Sequence, residues 1–384
     1  LLLLLNKTKE REVKLKISIA AVVMGLSLFM KGEQPIVRNT LEDIDACEGK
    51  VKLTLTRVWG DDEIDDENHF FRFPVDIKIG KDELVYIVDS GNHRVQVFDR
   101  AGNFKRSIGR EGMGPQDLLL PNTAAFDNNN NLVVGERGNH RIQFFDSGGR
   151  SLSSFKTVNA AASVVHVTRN NEIAVYSHQR SVTSRSLVTL YTSGGKIIRE
   201  VGRIEGSVKS RLDFEGISYA PDKTDNFFFA YYATPYYREY SYKGEPLMIV
   251  TFDVPFKTPR VERGDSPDEP KITGEKKGRV CTGISVDGEG RVFLVAAARE
   301  QKKSERFFLV GDGSGAMRRV SENTISENTD WFRLLVFNPA GKIIAARRLD
   351  VFCDRIYVHG NSLFIIDTYI GMKIYEYRIS PEGR

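Results

Sequence analysis

The sequence contains only three cysteines, Cys47, Cys281 and Cys353. That is too few for a disulfide-built scaffold, and none stands in the CxxC spacing of zinc and thioredoxin-type sites. No apolar run reaches the roughly 20 residues a helix needs to cross a bilayer. The six histidines form no HxH or HExxH pair, no GxSxG elbow occurs, and Gly311-Asp312-Gly313-Ser314-Gly315 lacks the lysine of a phosphate loop. Beyond the first residues the chain also lacks net charge. Its formal charge is +4, from Lys+Arg 55 and Asp+Glu 51. Residues 1–31 hold six basic side chains (Lys7, Lys9, Arg11, Lys14, Lys16, Lys31) and two acidic ones (Glu10, Glu12), so the remainder carries 49 of each sign. A neutral body offers no footprint for a phosphate backbone, and nucleic acid is not an expected partner.

What is present begins with an address. Residues 1–16 form a basic region, and Ile17–Met30 follows without a charge. A positive region before an apolar run of this length predicts an export signal. Leu28-Phe29-Met30-Lys31-Gly32 is a poor cleavage site, so an uncleaved membrane anchor with its basic flank on the cytoplasmic side stays open. The chain opens on Leu1–Leu5 without a methionine, and its native start is expected elsewhere. Residues 31–49 read as a linker. The expected location is periplasmic or cell-surface, and the expected state a monomer.

The rest repeats. Val85–Asp99, carrying Asp89-Ser90-Gly91-Asn92-His93-Arg94, recurs as Leu132–Asp146, carrying Glu136-Arg137-Gly138-Asn139-His140-Arg141, and the two Gly-Asn-His-Arg runs lie 47 residues apart, a spacing within the range of propeller blades. Each copy alternates β-rich runs with Gly/Asn turns. Weaker copies follow at 164–201, 216–252 and 283–348, the last interrupted by a polar insertion around 300–330. A final set of three runs ends with the chain. Lys52–Trp59 closes on Val58-Trp59-Gly60 as other outer runs close on Ser107-Ile108-Gly109 and Glu200-Val201-Gly202, which predicts that it supplies the missing outer strand. Pairing the two ends of the chain removes an exposed sheet edge. The expectation is an all-β fold, a six-bladed β-propeller over residues 50–380.

Over residues 70–157 the two strong copies resemble NHL repeats, whose defining positions here read Asn92-His93-Arg94 and Asn139-His140-Arg141. The connector Gly109–Pro115 with Leu120-Pro121-Asn122 is similar to the glycine-rich connector of bacterial six-bladed propellers of that class. The resemblance implies a binding or scaffolding module, with lactonase- or lyase-like enzymes as the minority alternative.

Because the motif recurs in neighbouring blades, Asp89, Asn92, His93, Arg94, Asn139, His140 and Arg141 read as structural, satisfying buried polar groups within each unit. Asp127, Asn129 and Asn131 imitate the start of a calcium loop, but Leu132 replaces its glycine, and an Asn-rich turn accounts for them. Aligning the innermost strands on Ile77, Ala124, Val165, Ile217, Ile284 and Ile356 brings Val75, Asn122, Ser163, Glu215, Thr282 and Asp354 to one mouth of the central channel, with Asp76 and Arg355 beside them. Oxygen donors from Asn122, Glu215, Asp354 and Asp76 could hold Ca2+. The other reading pairs the carboxylates with Arg355. The first makes the protein a divalent-metal hydrolase or lyase. The second makes it a non-catalytic module recognising a protein, peptide or glycan through one face, with no cofactor. Cys281 and Cys353 fall in equivalent places of adjacent blades and read as buried free thiols. Tyrosines 231, 232, 236, 237, 240 and 242 crowd the fourth unit and suit packing between blades.

Overall fold

Middle strands such as Val85–Asp89 and Ser362–Asp367 are apolar almost throughout because both of their faces are covered, whereas outer strands such as Phe104–Ile108 alternate between buried and exposed. The computed structural model describes residues 34–60, 66–157, 162–176, 186–203, 217–262, 271–273, 279–302, 305, 308–311, 317–320 and 328–381. These residues form a six-bladed β-propeller of four-stranded antiparallel blades. Blade 1 is built from Pro74–Ile79, Val85–Asp89, Arg94–Phe98 and Phe104–Ile108, and blade 2 from Pro121–Phe126, Leu132–Glu136, Arg141–Phe145 and Ser151–Lys156. Blade 3 runs Val164–Val167, Ile173–Tyr176, Ser186–Tyr191 and Ile197–Arg203, and blade 4 runs Ile217–Pro221, Phe227–Tyr231, Tyr236–Tyr240 and Pro246–Phe252. Blade 5 comprises Cys281–Val286, Val292–Ala297, Phe332–Phe337 and Ile343–Arg348.

Blade 6 closes the ring. Arg355–His359, Ser362–Asp367 and Lys373–Pro381 receive Val51–Trp59 as their outer strand, with Leu53 opposite Ile379 and Trp59 opposite Ile374. Six apolar clusters fill the six blade-to-blade interfaces. The one that joins the ends of the ring packs Trp59, Phe364, Ile366 and Ile374 of blade 6 on Ile77, Ile87 and Phe98 of blade 1. Each blade is thus buried between two neighbours, and no wedge buries its own apolar faces alone.

Residues 34–49 depart from the expected linker. Ile36–Asn39 adds to blade 4 as a fifth, parallel strand, with Ile36 opposite Ile249 and Asn39 opposite Phe252. A short helix, Leu41–Asp45, follows, capped by the Thr40 and Asp43 side chains. Cys47–Gly49 then pairs with Ala346 on the outer strand of blade 5. The segment is a strap across blades 4, 5 and 6. The main chain of a strap that lies over a sheet edge hydrogen-bonds to that edge instead of to water, which a solvated linker cannot do.

The two faces of the disc are built differently. On one, the turns between first and second strands of blades 1 to 5 (Gly80–Leu84, Asp127–Asn131, Thr168–Glu172, Asp222–Asn226, Asp287–Arg291) are five residues long, and that of blade 6 is two. Several share one cap: a single side chain accepts from the amides two and four residues on, as Asp127, Asp222 and Asp287 do. The same turns are stitched around the ring by Lys81 to Asn130, Asn128 to Asn171, Arg169 to Asp225 and Lys223 to Gly288. On the other face the intervals between strands range from four residues at 90–93, 137–140 and 232–235 to the long 253–280 and 298–331, and the last two contain small hairpins of their own, Arg260–Glu262 with Lys271–Thr273 and Phe308–Gly311 with Met317–Val320.

Candidate functional site

The inner strands begin at the face that carries the long connectors, so the residues just before them surround the channel mouth there. Val75, Ser163 and Thr282 are buried, while Asn122, Asp354 and Arg355 are half-buried. Asp354 has both carboxylate oxygens engaged. Arg279 donates to Oδ1 at 3.1 Å and the Thr368 amide to Oδ2 at 3.0 Å. Arg279 also donates from Nε to the Tyr232 hydroxyl at 2.8 Å, with its guanidinium 5.0 Å from the Tyr232 ring centre. Burial works against the Arg279 charge, but Tyr232 and Asp354 outweigh it and hold the guanidinium protonated.

Arg355 makes a different connection. From blade 6 its Nη1 donates to the main-chain oxygens of Val75 in blade 1 (3.1 Å) and Asn122 in blade 2 (3.3 Å). It does not pair with Asp354, which the sequence reading had offered as one alternative. Asn122 turns its amide nitrogen toward the Ser163 oxygen at 2.8 Å. Tyr369, 6.0 Å from Phe73 between ring centres, completes the described rim. Burial and Asp354 push its hydroxyl upward, while Arg355, Arg279 and Arg137 pull the other way.

Asp76 is not part of this rim. Its Oδ2 accepts from the Thr123 hydroxyl (3.2 Å) and the Ala124 amide (3.0 Å) of blade 2, and its Oδ1 holds Lys78 at 2.6 Å. Thr123 in turn accepts from the Val165 amide of blade 3. Asp76 therefore begins a polar seam between inner strands, facing the next blade instead of the mouth. Glu215 lies outside the described residues. Among the described residues, no group of three or more Asp, Glu, His or Cys converges as a metal shell would. Both Asp354 oxygens already face hydrogen-bond donors.

The repeat residues form a clasp under the same face. Asp89, fully buried, accepts from the Arg72 amide, Asn92 Nδ2 and Arg94 Nε. Glu136 does the same for the Leu119 amide, Asn139 Nδ2 and Arg141. Burial raises the Asp89 carboxyl above its ordinary value in spite of these three donors. The intervening glycines let the connector approach: a Cβ on Gly91 would stand 2.7 Å from the Arg72 oxygen, and one on Gly138 2.8 Å from the Leu119 oxygen. His93 and His140 close the turns at φ 56° and 49°. His93 was expected to bond within its own hairpin. Instead its Nδ1 accepts from the Leu120 amide at 3.0 Å, reaching the connector into blade 2.

Other expectations have simple locations. Tyr236 and Tyr237 are fully buried, Tyr240 nearly so, and Tyr231 stacks on Tyr236 at 4.2 Å. Cys281 and Cys353 are buried free thiols that donate to the Thr234 and Arg355 oxygens, and burial pushes both upward. A cavity of about 500 Å³ lies at the rim of blade 4 on the connector face, lined by Arg38 of the strap, Thr251, Phe252, Lys257, Thr258 and Arg260. The rim partners missed from sequence were Arg279, Tyr232, Tyr369 and Arg137. Only Tyr369 left a signal, since Asp367-Thr368-Tyr369 matches Asp89-Ser90-Gly91 in position, and Asp367 accepts from the Ile370 and Gly371 amides as a reduced clasp.

Residues 68–253 match a family model described as a 6-bladed beta-propeller. Two solved bacterial structures share the architecture. A presumed exported protein of Bacteroides fragilis aligns over 90% of this chain and 99% of its own, at 10% identity and a TM-score of 0.56. A Bacteroides vulgatus protein aligns over 86% and 99%, at 12% identity and a TM-score of 0.52. By sequence, 68 residues are 34% identical to Protein brain tumor of Drosophila melanogaster, and this stretch is 17% of the present chain and 7% of that relative. Likeness at these levels establishes the fold, a six-bladed propeller.

Proposed function

We propose that the protein is a non-catalytic binding module of the NHL type, carried outside the cytoplasm, that engages a protein or peptide through the face bearing the long connectors. The observation that carries this is the division of labour between the faces. One face spends its turns on capping and stitching, while the other holds every long connector around a mouth of charged and aromatic side chains. Loops set on a rigid frame are where recognition residues concentrate. The paired state of Asp354 supports binding over metal chemistry, because a ligand carboxylate already fixed by Arg279 and an amide has no free geometry to offer. The Asp/Glu, Asn and Arg clasp supports the NHL type. The basic N-terminal region before Ile17–Met30 supports export, and no helix among the described residues is long and apolar enough to cross a membrane.

Thermal melts with Ca2+ and with EDTA, together with a lactone-hydrolysis assay, test this reading. The Tm is expected to stay the same in both, with no turnover. A Tm raised by Ca2+, with the rise lost in Glu215→Ala, would establish the metal-dependent hydrolase instead.

A further inference from the structure

The mouth carries more positive charge than it uses. Arg279 is matched by Asp354. Arg355 meets only main-chain oxygens among the described residues, and its remaining guanidinium donors are left for something else. Arg137 is half-buried in the blade 2 clasp turn, where its amide donates to the Leu120 oxygen, and no described carboxylate holds its side chain. Arg72, exposed, extends over the Phe73 ring, which itself contacts Tyr369. Among the described residues, four guanidiniums thus stand around a half-buried rim with one half-buried carboxylate, Asp354. Of the neighbouring clasp acids, Asp89 and Glu136 are buried and already paired with Arg94 and Arg141, and Asp367 is fully buried on the Ile370 and Gly371 amides. On the same face, two connectors hold out large apolar side chains, Phe70 at 63% and Met113 at 78% exposure.

Resting on the binding-module reading, we infer that the mouth receives an acidic peptide segment, whose carboxylate bonds the free donors of Arg355 and is flanked by Arg137 and Arg72, while its apolar side chains lie against Phe70 and Met113. A guanidinium pre-fixed by two main-chain oxygens presents its remaining N–H groups in a set direction, which suits bidentate recognition of a carboxylate. The exposed Phe70 and Met113 on the same face favour a peptide over a polyuronate, since a sugar acid brings charge without side chains to cover them. Methionine on such a rim adapts to varied side chains.

The test uses the chain from residue 34 onward and three fluorescein-labelled probes: a peptide of alternating Glu and Phe, its Lys/Phe counterpart, and tetragalacturonate. Fluorescence polarisation is expected to show binding of the Glu/Phe peptide that weakens as salt rises, with little binding of the other two. Arg355→Met should weaken it about tenfold, as loss of a charge-assisted pair predicts. Arg355 bridges three blades, so the Tm of that variant is measured alongside. Arg137→Glu leaves those bridges intact and should shift preference toward the Lys/Phe peptide. Equal binding of the Glu/Phe peptide by the parent and both variants overturns the inference. So does binding that appears only after Glu215→Gln, which would assign the guanidiniums to the chain's own carboxylate. Preference for tetragalacturonate or for the Lys/Phe peptide sinks the acidic-peptide assignment but leaves a binding module. Lactone turnover with no probe bound sinks both.

Discussion

The stitched face and the connector face are made from the same six blades, but they solve opposite problems. On the stitched face the turns of blades 1 to 4 each hand a bond to the next blade, and Asp127, Asp222 and Asp287 cap their own turns, so these side chains are consumed by structure. On the connector face the clasps of blades 1 and 2 hold the chain down, and the longest insertions fall in blades 4 and 5. The contrast teaches where polar groups are consumed: where the repeat is strict, the groups of its turns and clasps satisfy one another, and recognition is left to the side chains beside them. The strict half should therefore be intolerant of polar deletions.

The largest effect should come from breaking a clasp. Glu136→Ala would leave the buried Arg141 without its carboxylate and strip the Leu119 amide and Asn139 of an acceptor. Removing one partner of a buried ion pair costs about 3–5 kcal/mol. Denaturant unfolding should register a loss of that size. A loss below about 1 kcal/mol would mean that the clasps are decoration and that the comparison between halves is wrong.

A smaller effect is expected on the stitched face. Asp287 is nearly buried and accepts from the Glu289 and Arg291 amides at 2.9 Å and from Arg291 Nε at 2.7 Å. Its amides can turn to water once the carboxylate is gone, because the turn lies at the surface. Asp287→Ala should therefore cost about 1–2 kcal/mol in the same unfolding measurement. If it matched or exceeded Glu136→Ala, the stitched face and not the clasps would be the dominant anchor.

Most of this frame was legible from the residues. Val58-Trp59-Gly60 repeats the ending of other outer strands, and it does complete blade 6. Gly and Asn runs between the β-rich segments marked the turns. The strap was not legible: Ile36-Val37-Arg38-Asn39 has no periodicity of its own and becomes a strand only because Ile249–Phe252, more than 200 residues away, offers an edge. The mouth was legible by position and not by pairing. Aligning inner strands located Asn122, Asp354 and Arg355, but Arg279 belongs to a connector with no counterpart in other blades and meets Asp354 only through the fold. Asp76 was not separable from that set by strand alternation, because the ladder is bulged between Pro74 and Asp76.

The smallest effect probes the stitched face with pH. Glu239, half-buried in blade 4 beside the turn at Asp222, accepts from Asn226 at 3.0 Å, and burial pushes its carboxyl from 4.5 up to about 7. A carboxyl raised on folding binds its proton more tightly in the native state, so stability is highest below about 4.5 and falls as pH rises toward 7, above which the penalty is constant. Glu239→Gln keeps the shape and the acceptor for Asn226 while removing the charge. It should stabilise the protein by about 1 kcal/mol at pH 8, after allowance for solvent screening, and change nothing at pH 4. Melts across that range should show the parent losing stability between the two values relative to the variant. A parallel pair of curves would mean that Glu239 titrates alike in the folded and unfolded states and that the stitched face tolerates charge as readily as the connector face does.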